Sequence, residues 1–296
     1  MYDIKDPQAA AHAVSDANRG SGLRFGLGER FADGLQGGAW NLAEPGGRRA
    51  VLKLRRADPR MPIGDVARAV ERVRGAGYPT PRWLATGDPG GGLTYHVQEF
   101  AYGNASTPLT PDTIRPLLDT LELHAGLDPL PSRDRSAEAS ASSTDERPGS
   151  LRRAVAALGE PGTALLGRYD RLLAAAGPTP LPGGDLVHGD FNSVNILLRA
   201  DGTVSAVIDI DELGSGTRVL DYAALLREAY VEGYHPDVAA RIRAAAVRVA
   251  GPAVLAWCAA PAAYFIAPFK ARHDPTRLPA TLERLHHMAN SLSKTL

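Results

Sequence analysis

The run His188-Gly189-Asp190-Phe191-Asn192-Ser193-Val194-Asn195-Ile196-Leu197 sets an acid and an amide five positions apart, just ahead of an apolar strand. A second acidic cluster, Ile208-Asp209-Ile210-Asp211-Glu212, follows, with Asp209 fourteen residues after Asn195. Two short apolar stretches lie between, Asn195 to Leu198 and Val204 to Ile208, and Asp201-Gly202 separates them as a strong hairpin signal. A hairpin folds the chain back on itself. Asn195 opens one strand and Asp209 closes the other, so the two ends are predicted to meet. Their oxygens can then share a hard cation, which prefers carboxylate and amide oxygen. Asp190, in the loop just before, falls within reach of the same place.

The rest of the chain is read for what could surround that loop. Residues 7–19 are helix-compatible and polar. From Arg24 to Leu54, short apolar alternations broken by glycine predict an antiparallel meander of about three strands, with Pro45-Gly46-Gly47 as a hairpin turn. Asp65 to Ala76 reads as a helix, since Val66, Ala69, Val70 and Val73 recur at helical spacing. Trp83 to Ala85 and Leu93 to Phe100 give two more strands around Gly90-Gly91-Gly92. After Asp112 helices dominate: Ile114 to Gly126, then 151–176, 219–234, 236–250, 252–269 and 276–295. Residues 132–150 hold no apolar side chain larger than alanine and are predicted to form a mobile insertion, because such a stretch buries too little surface to repay its ordering entropy. Two domains are expected, 1–98 and 99–296.

An Asp followed by two hard-cation ligands suits phosphoryl transfer to a hydroxyl. Magnesium on Asn195 and Asp209 would neutralise a triphosphate and hold it in line. Asp190 would orient the accepting hydroxyl and take its proton late in the reaction. Lys53, on a strand of the first domain, would pair with the non-transferred phosphates, its charge steadied by an acid on the following helix.

The pattern His188-x-Asp190-x4-Asn195-Ile-Leu, then Ile208-Asp209-x-Asp211-Glu212-x-Gly214 and Leu220-Asp221-Tyr222-Ala223-Ala224-Leu225, resembles the aminoglycoside phosphotransferase and choline kinase family. The resemblance implies an α+β, protein-kinase-like two-lobe fold, with a small antiparallel-sheet N-lobe and a larger, mostly helical C-lobe. It implies Asp190 as the base, Asn195 and Asp209 as magnesium ligands, and Lys53 on the phosphates of ATP or GTP. The Gly34 to Gly38 segment, with Gly37 and Gly38, would cover the nucleotide. Gln98, Glu99 and Phe100 would join the lobes where backbone groups meet adenine. His188 and Asp221 would brace the loop. Asp65 is expected as the partner of Lys53, with Glu71 on the same helix as the other candidate. The implied acceptor is a small hydroxyl compound, a basic antibiotic first (aminoglycoside, or viomycin- and capreomycin-type peptide), with resistance as the consequence. Choline, ethanolamine, homoserine, a sugar or a macrolide are the other acceptors, and a catalytically dead binding module is the reading of another class.

Several residues keep two readings. Asp211 and Glu212 would add to the metal's surroundings or grip a cationic substrate, or they are solvated loop charges. Glu228, Glu232 and Asp237 read as surface charges on helices. His124 reads as structural, and His286-His287 as surface residues without metal spacing. Lys plus Arg (33) equals Asp plus Glu (33), which argues against nucleic acid or an anionic membrane as main partner. A single cysteine, Cys258, rules out an intrachain disulfide and reads as buried filler. No signal peptide and no membrane-spanning run are expected, so a cytoplasmic monomer or homodimer is the expectation.

Overall fold

The computed structural model describes residues 3–31, 38–233 and 235–296. It divides into two compact units, one reaching to Gly103 and including Ser205–Ile208, the other comprising Asn104–Val204 and Asp209–Leu296. The expected boundary at 98 therefore moves to 103. Residues 99–103 stay with the first unit through local contacts. The Arg49 guanidinium lies over the Phe100 ring at 3.8 Å, and the Ser205 hydroxyl donates to the Tyr102 carbonyl at 2.6 Å.

In the first unit, helix α1 (Pro7–Ser21) starts at Asp6, whose carboxylate accepts from the Gln8 N–H at 2.8 Å, with Pro7 in the first helical position. It precedes strands β1 (Gly26–Arg30), β2 (Ala39–Ala43) and β3 (Arg49–Arg56), helix α2 (Ile63–Gly75), and strands β4 (Trp83–Gly90) and β5 (Leu93–Glu99). The five strands form one antiparallel sheet in the order β1-β2-β3-β5-β4. Ala9, Ala10, Ala13, Val14 and Ala17 of α1 bury against Trp40, Leu42, Leu52, Leu54, Tyr95 and Val97. The alanine face lets the helix approach the sheet closely. Strand period then decides where Lys53 goes. Ala50, Leu52 and Leu54 are buried in that core, so Lys53 projects from the opposite face, across from His96 of β5 in the register.

The second unit opens with β6 (Asn104–Ala105) and helices α3 (Ile114–Glu122), α4 (Arg135–Thr144), α5 (Leu151–Ala156) and α6 (Glu160–Ala176). Strand β7 (Asp185–Val187), β8 (Ile196–Leu198) and β10 (Gly214–Gly216) follow, then α7 (Val219–Val231), α8 (Pro236–His273) and α9 (Leu278–Ser293); β9 (Val204–Val207), between β8 and β10 in the chain, belongs to the first unit except for Val204. β7 pairs antiparallel with β10, and β6 with β8. Helix α7 is the hub, with ten buried residues, among them Val219, Tyr222, Leu225 and Leu226. Cys258 is buried, and burial pushes its thiol well above the ordinary range, as filler requires.

Two expectations change here. The stretch 132–150 contains α4, capped by the Asp134 carboxylate on the Ala137 N–H at 2.9 Å, with Ser136, Ala139 and Ser143 buried. Small side chains bury little area each, but they allow close helix packing: the Ser143 hydroxyl donates to the Ala139 carbonyl of its own helix and lies 3.4 Å from the Trp257 carbonyl of α8. A mobile insertion is therefore not what this stretch forms. The second change concerns α8. Residues 251–269 carry no charged side chain, and α8 is long and apolar enough to cross a membrane by length and composition, contrary to expectation. Half of its most apolar window is buried by protein, and Gly251, at φ 84°, breaks it into the two helices that the sequence predicts.

Candidate active site

Asp190 sits on a loop suspended from α7 at two points. β7 delivers the chain to His188, whose N–H donates to Asp221 Oδ2 at 2.7 Å, and the Gly189 N–H donates to Asp221 Oδ1 at 3.0 Å. Two turns further along α7, the Glu228 carboxylate accepts from the Ser193 N–H at 2.9 Å and from the Ser193 hydroxyl. Phe191 is completely buried beneath the loop, edge-on to His124 and His188. Gly189 has φ 86°, a left-handed conformation, and a Cβ there would lie 2.9 Å from both Arg135 Nη2 and the Glu212 carbonyl. Any other residue would push the loop off its seat.

Both anchoring acids are buried, and they titrate in opposite directions. Burial pushes the Asp221 carboxyl upward, but His124, at 3.3 Å, together with His188 outweighs it and holds the group below its usual range. Glu228 is raised, because burial outweighs its hydrogen bonds from Ser193. The sequence reading of Glu228 as a surface charge is corrected: it is 9% exposed and holds the loop. Spacing gave a weak signal, since Asp221 and Glu228 are seven apart and share a helix face.

Around Asp190 the hydrogen bonds are ordered by donor type. Asn192 Nδ2 donates to Asp190 Oδ1 at 2.8 Å. Asn195 Nδ2 donates to the Asp190 carbonyl at 2.9 Å and to Asp190 Oδ2 at 3.1 Å. Both partners of Asn195 Nδ2 are pure acceptors, so the amide can face them only with its nitrogen. Its Oδ1 is thereby turned away from Asp190, as a cation ligand requires. Asn195 closes a 3₁₀ turn, Ser193–Asn195, rather than opening the strand; β8 begins one residue later. The intervening turn closes through Arg199 N–H to Thr203 O at 2.8 Å, with Gly202 at φ 82°.

Asp209 ends the excursion of the chain through the first unit and adopts φ 64°, ψ 40°. A left-handed non-glycine residue costs energy and persists where the surroundings impose it. The loop beyond it is clamped by the segment that leads into α4. Arg133 donates to the Glu212 carbonyl at 2.9 Å and to Glu212 Oε2 at 2.6 Å; the Ser215 N–H donates to the Arg133 carbonyl at 3.0 Å. Glu212 is thus engaged by an arginine. Asp211 lies in the 3₁₀ turn Ile210–Glu212.

The first unit carries the remaining predicted positions. Asp65 is in the first turn of α2 and forms an ion pair with Arg68, while Glu71 pairs with Arg74 at 3.6 Å. Gly38 accepts at its carbonyl from the Leu54 N–H at 2.8 Å, and a Cβ there would collide with the Leu54 carbonyl; Gly37 lies outside the described residues. Gln98 is buried in β5. The N–H groups of Glu99 and Phe100 donate to the carbonyls of Arg82 and Arg49, at 2.9 and 3.4 Å.

A family model described as the phosphotransferase enzyme family matches residues 28–258, more than half of the chain. The chain belongs to this family. No curated protein sequence matches it. Among solved structures, it is similar to aminoglycoside-3'-phosphotransferase of type VIII, with 23% identity, TM-score 0.60, and 86% of this chain and 99% of that chain covered. It is also similar to a thermostable mutant of aminoglycoside phosphotransferase APH(4)-Ia in ternary complex with AMP-PNP and hygromycin B: 17% identity, TM-score 0.67, coverage 94% and 97%. Amicoumacin kinase hAmiN, in complex with AMP-PNP, Ca2+ and Ami, has 12% identity, TM-score 0.62 and coverage 96% and 94%. At these identities the likeness establishes the fold. The phosphotransferase therefore has the expected α+β, protein-kinase-like architecture.

Proposed function

We propose that this phosphotransferase moves the γ-phosphoryl group of ATP, or of GTP, onto a hydroxyl of a small molecule. The observation that carries the proposal is the orientation of Asn195: its amide nitrogen is committed to Asp190, and its oxygen faces away. Among the described residues, no group of three His, Cys, Asp or Glu side chains gathers to hold an ion unaided. Magnesium brought by a nucleotide needs only one or two protein oxygens, with phosphates and water supplying the rest. Asn195 Oδ1 and the Asp209 carboxylate fit that donor set, and the bound ion would neutralise charge on the phosphates.

Asp190 serves the acceptor. Its carboxylate, steadied by Asn192 and Asn195, orients the hydroxyl and receives its proton as the new O–P bond forms and the bond to the departing nucleoside diphosphate breaks. Replacing Asp190 with Asn should lower phosphoryl transfer by about 10²–10⁴-fold, the usual contribution of a general base. Binding of magnesium AMP-PNP should persist. The check is mass gain of one phosphoryl group on the acceptor, with calorimetry for the nucleotide. Undiminished turnover would sink the assignment of the base.

For the acceptor, a basic antibiotic is the reading supported by the similar structure that holds hygromycin B, and resistance would be its consequence. A second reading, a small metabolite that is not a polycation, is favoured by the charges beside the site. Glu212 is paired with Arg133; Glu232 with Lys270 at 2.6 Å and Arg277 at 2.9 Å; Glu228 serves Ser193. Acids already matched in this way offer little to a polycation.

A further inference from the structure

Asn195 lies in the 3₁₀ turn Ser193–Asn195, and the residue that opens this turn is held at every polar group it has. The Glu228 carboxylate accepts from the Ser193 N–H at 2.9 Å and from the Ser193 hydroxyl. The Ser193 carbonyl is taken by Ser106, the residue after β6. The Ser106 hydroxyl donates to it at 2.9 Å, and the Ser106 N–H donates both to it and to the Ile196 carbonyl, each at 3.0 Å. The Ser106 N–H thus spans the turn, from the residue that opens it to the residue that follows Asn195. Ser106, Ser193, Asn195 and Glu228 are all buried, whereas Val194 is 55% exposed and gives the turn little packing. Burying a carboxylate and two hydroxyls is costly unless each is bonded, and a polar network satisfied in this way makes rigid what it holds.

We propose that Glu228 and Ser106 are positioning residues for Asn195, and that they hold in place the turn whose amide oxygen serves magnesium. The inference rests on the phosphoryl-transfer reading and gives its amide ligand two supports from outside the loop. Asn195 cannot fix its own place. Its Nδ2 is bonded to Asp190, but Asp190 belongs to the same loop, so the two can shift together. Ser106 and Glu228 stand 87 and 35 positions from Ser193 in the chain, and they refer the turn to β6 and to α7. Groups that orient a metal ligand without touching the metal are worth roughly 10–100-fold in metal affinity. The two ends of the loop then have separate tasks. Asp221 seats His188 and Gly189, next to Asp190, while Glu228 with Ser106 seats the turn of Asn195.

The test measures AMP-PNP affinity by calorimetry, with magnesium and again in EDTA, and takes the ratio of the two as the magnesium advantage. It compares wild type with Glu228→Ala, Glu228→Gln, Ser106→Ala and Asn195→Ala, and with Glu228→Ala and Ser106→Ala each combined with Asn195→Ala. The advantage should fall about tenfold in Glu228→Ala, and by less in Ser106→Ala, whose N–H bonds remain. Affinity in EDTA should stay at the wild-type value in both. Glu228→Gln should keep most of the advantage, because its amide oxygen can accept from the Ser193 N–H while its amide nitrogen donates to the Ser193 hydroxyl oxygen. On the Asn195→Ala background, removing Glu228 or Ser106 should lower the advantage no further, since both act through Asn195. A further fall on that background would make them general supports of the fold and overturn the proposal. So would an unchanged advantage in Glu228→Ala, an equal loss of affinity with and without magnesium, or a Glu228→Gln no better than Glu228→Ala. Should Glu228→Ala fail to fold, Ser106→Ala decides by the same criteria, alone and with Asn195→Ala. Wild type without any magnesium advantage would instead sink the metal assignment in the phosphoryl-transfer reading, whatever the variants do.

Discussion

Asp221 is the residue on which the geometry of the loop most depends. It receives two backbone N–H groups and faces His124 at 3.3 Å, with Asp221, His124 and His188 all buried. Asn at this position would present an amide N–H₂ to a backbone donor and leave His124 without its carboxylate. Hydrogen bonds to a buried charged group are worth about 1.5–3 kcal/mol each. Asp221→Asn should lose stability of that order in urea titration, and a loss under about 1 kcal/mol would show that the contacts are weaker than their distances imply. The pH dependence follows from the direction of the shift. The Asp221 carboxyl lies below its usual range when folded, so its contribution is present above about pH 4 and fades as pH falls through the folded value. The wild-type advantage over Asp221→Asn should therefore shrink on acidification, measured as the difference in melting temperature between the two.

At the scale of elements, α4 and the strand-like approach to it do more than fill space. Residues 133–136 bridge to the loop after Asp209: Arg133 grips Glu212, the Ser136 hydroxyl donates to the Pro182 carbonyl at 2.6 Å, and the Thr217 N–H donates back to that hydroxyl at 2.9 Å. Ala139 and Ser143 make the contact face of α4 narrow. Enlarging it should overpack the junction with α8. Ala139→Leu is expected to cost about 1–3 kcal/mol, read by denaturant titration, and unchanged stability would mean the helix can shift without loss. This element also shows why sequence reasoning stalled. A helix of Ser and Ala has no large apolar stripe, and its stability comes from close approach to α8, which no local pattern reports. The Asp190–Asn195 run was legible because its donors and acceptors are contiguous. Glu228 was not, since an acid on a helix becomes a loop anchor only when a loop thirty-five residues earlier packs over it.

At the scale of the whole molecule, nucleotide binding and stability are linked. A ligand that binds only the folded state stabilises by RT ln(1 + [L]/Kd), about 2.7 kcal/mol at a hundredfold excess over Kd. Magnesium AMP-PNP should raise the melting temperature, and chelating the metal should remove most of the rise if, as proposed, Asn195 and Asp209 act on the phosphates through the ion. Asp209→Ala should show a small rise with or without metal. Equal stabilisation of wild type and Asp209→Ala by the magnesium nucleotide would remove Asp209 from the ligand set.

By itself, the sequence determined the residues on which the proposed chemistry rests: the carboxylate Asp190, the amide Asn195, the carboxylate Asp209 and the strand lysine Lys53. It also determined the alternation that sends Lys53 to the face opposite the core formed by Leu52 and Leu54. These follow from local spacing, since residue type and strand or turn period act over a few positions. The tertiary structure alone decided which charges are spent. Glu228 became a buried anchor and Glu212 an arginine's partner. Burial and pairing are properties of what packs around a side chain. The run from His188 to Leu197 carries the proposed reaction, and only packing shows that the two acids of α7 are taken up in holding it.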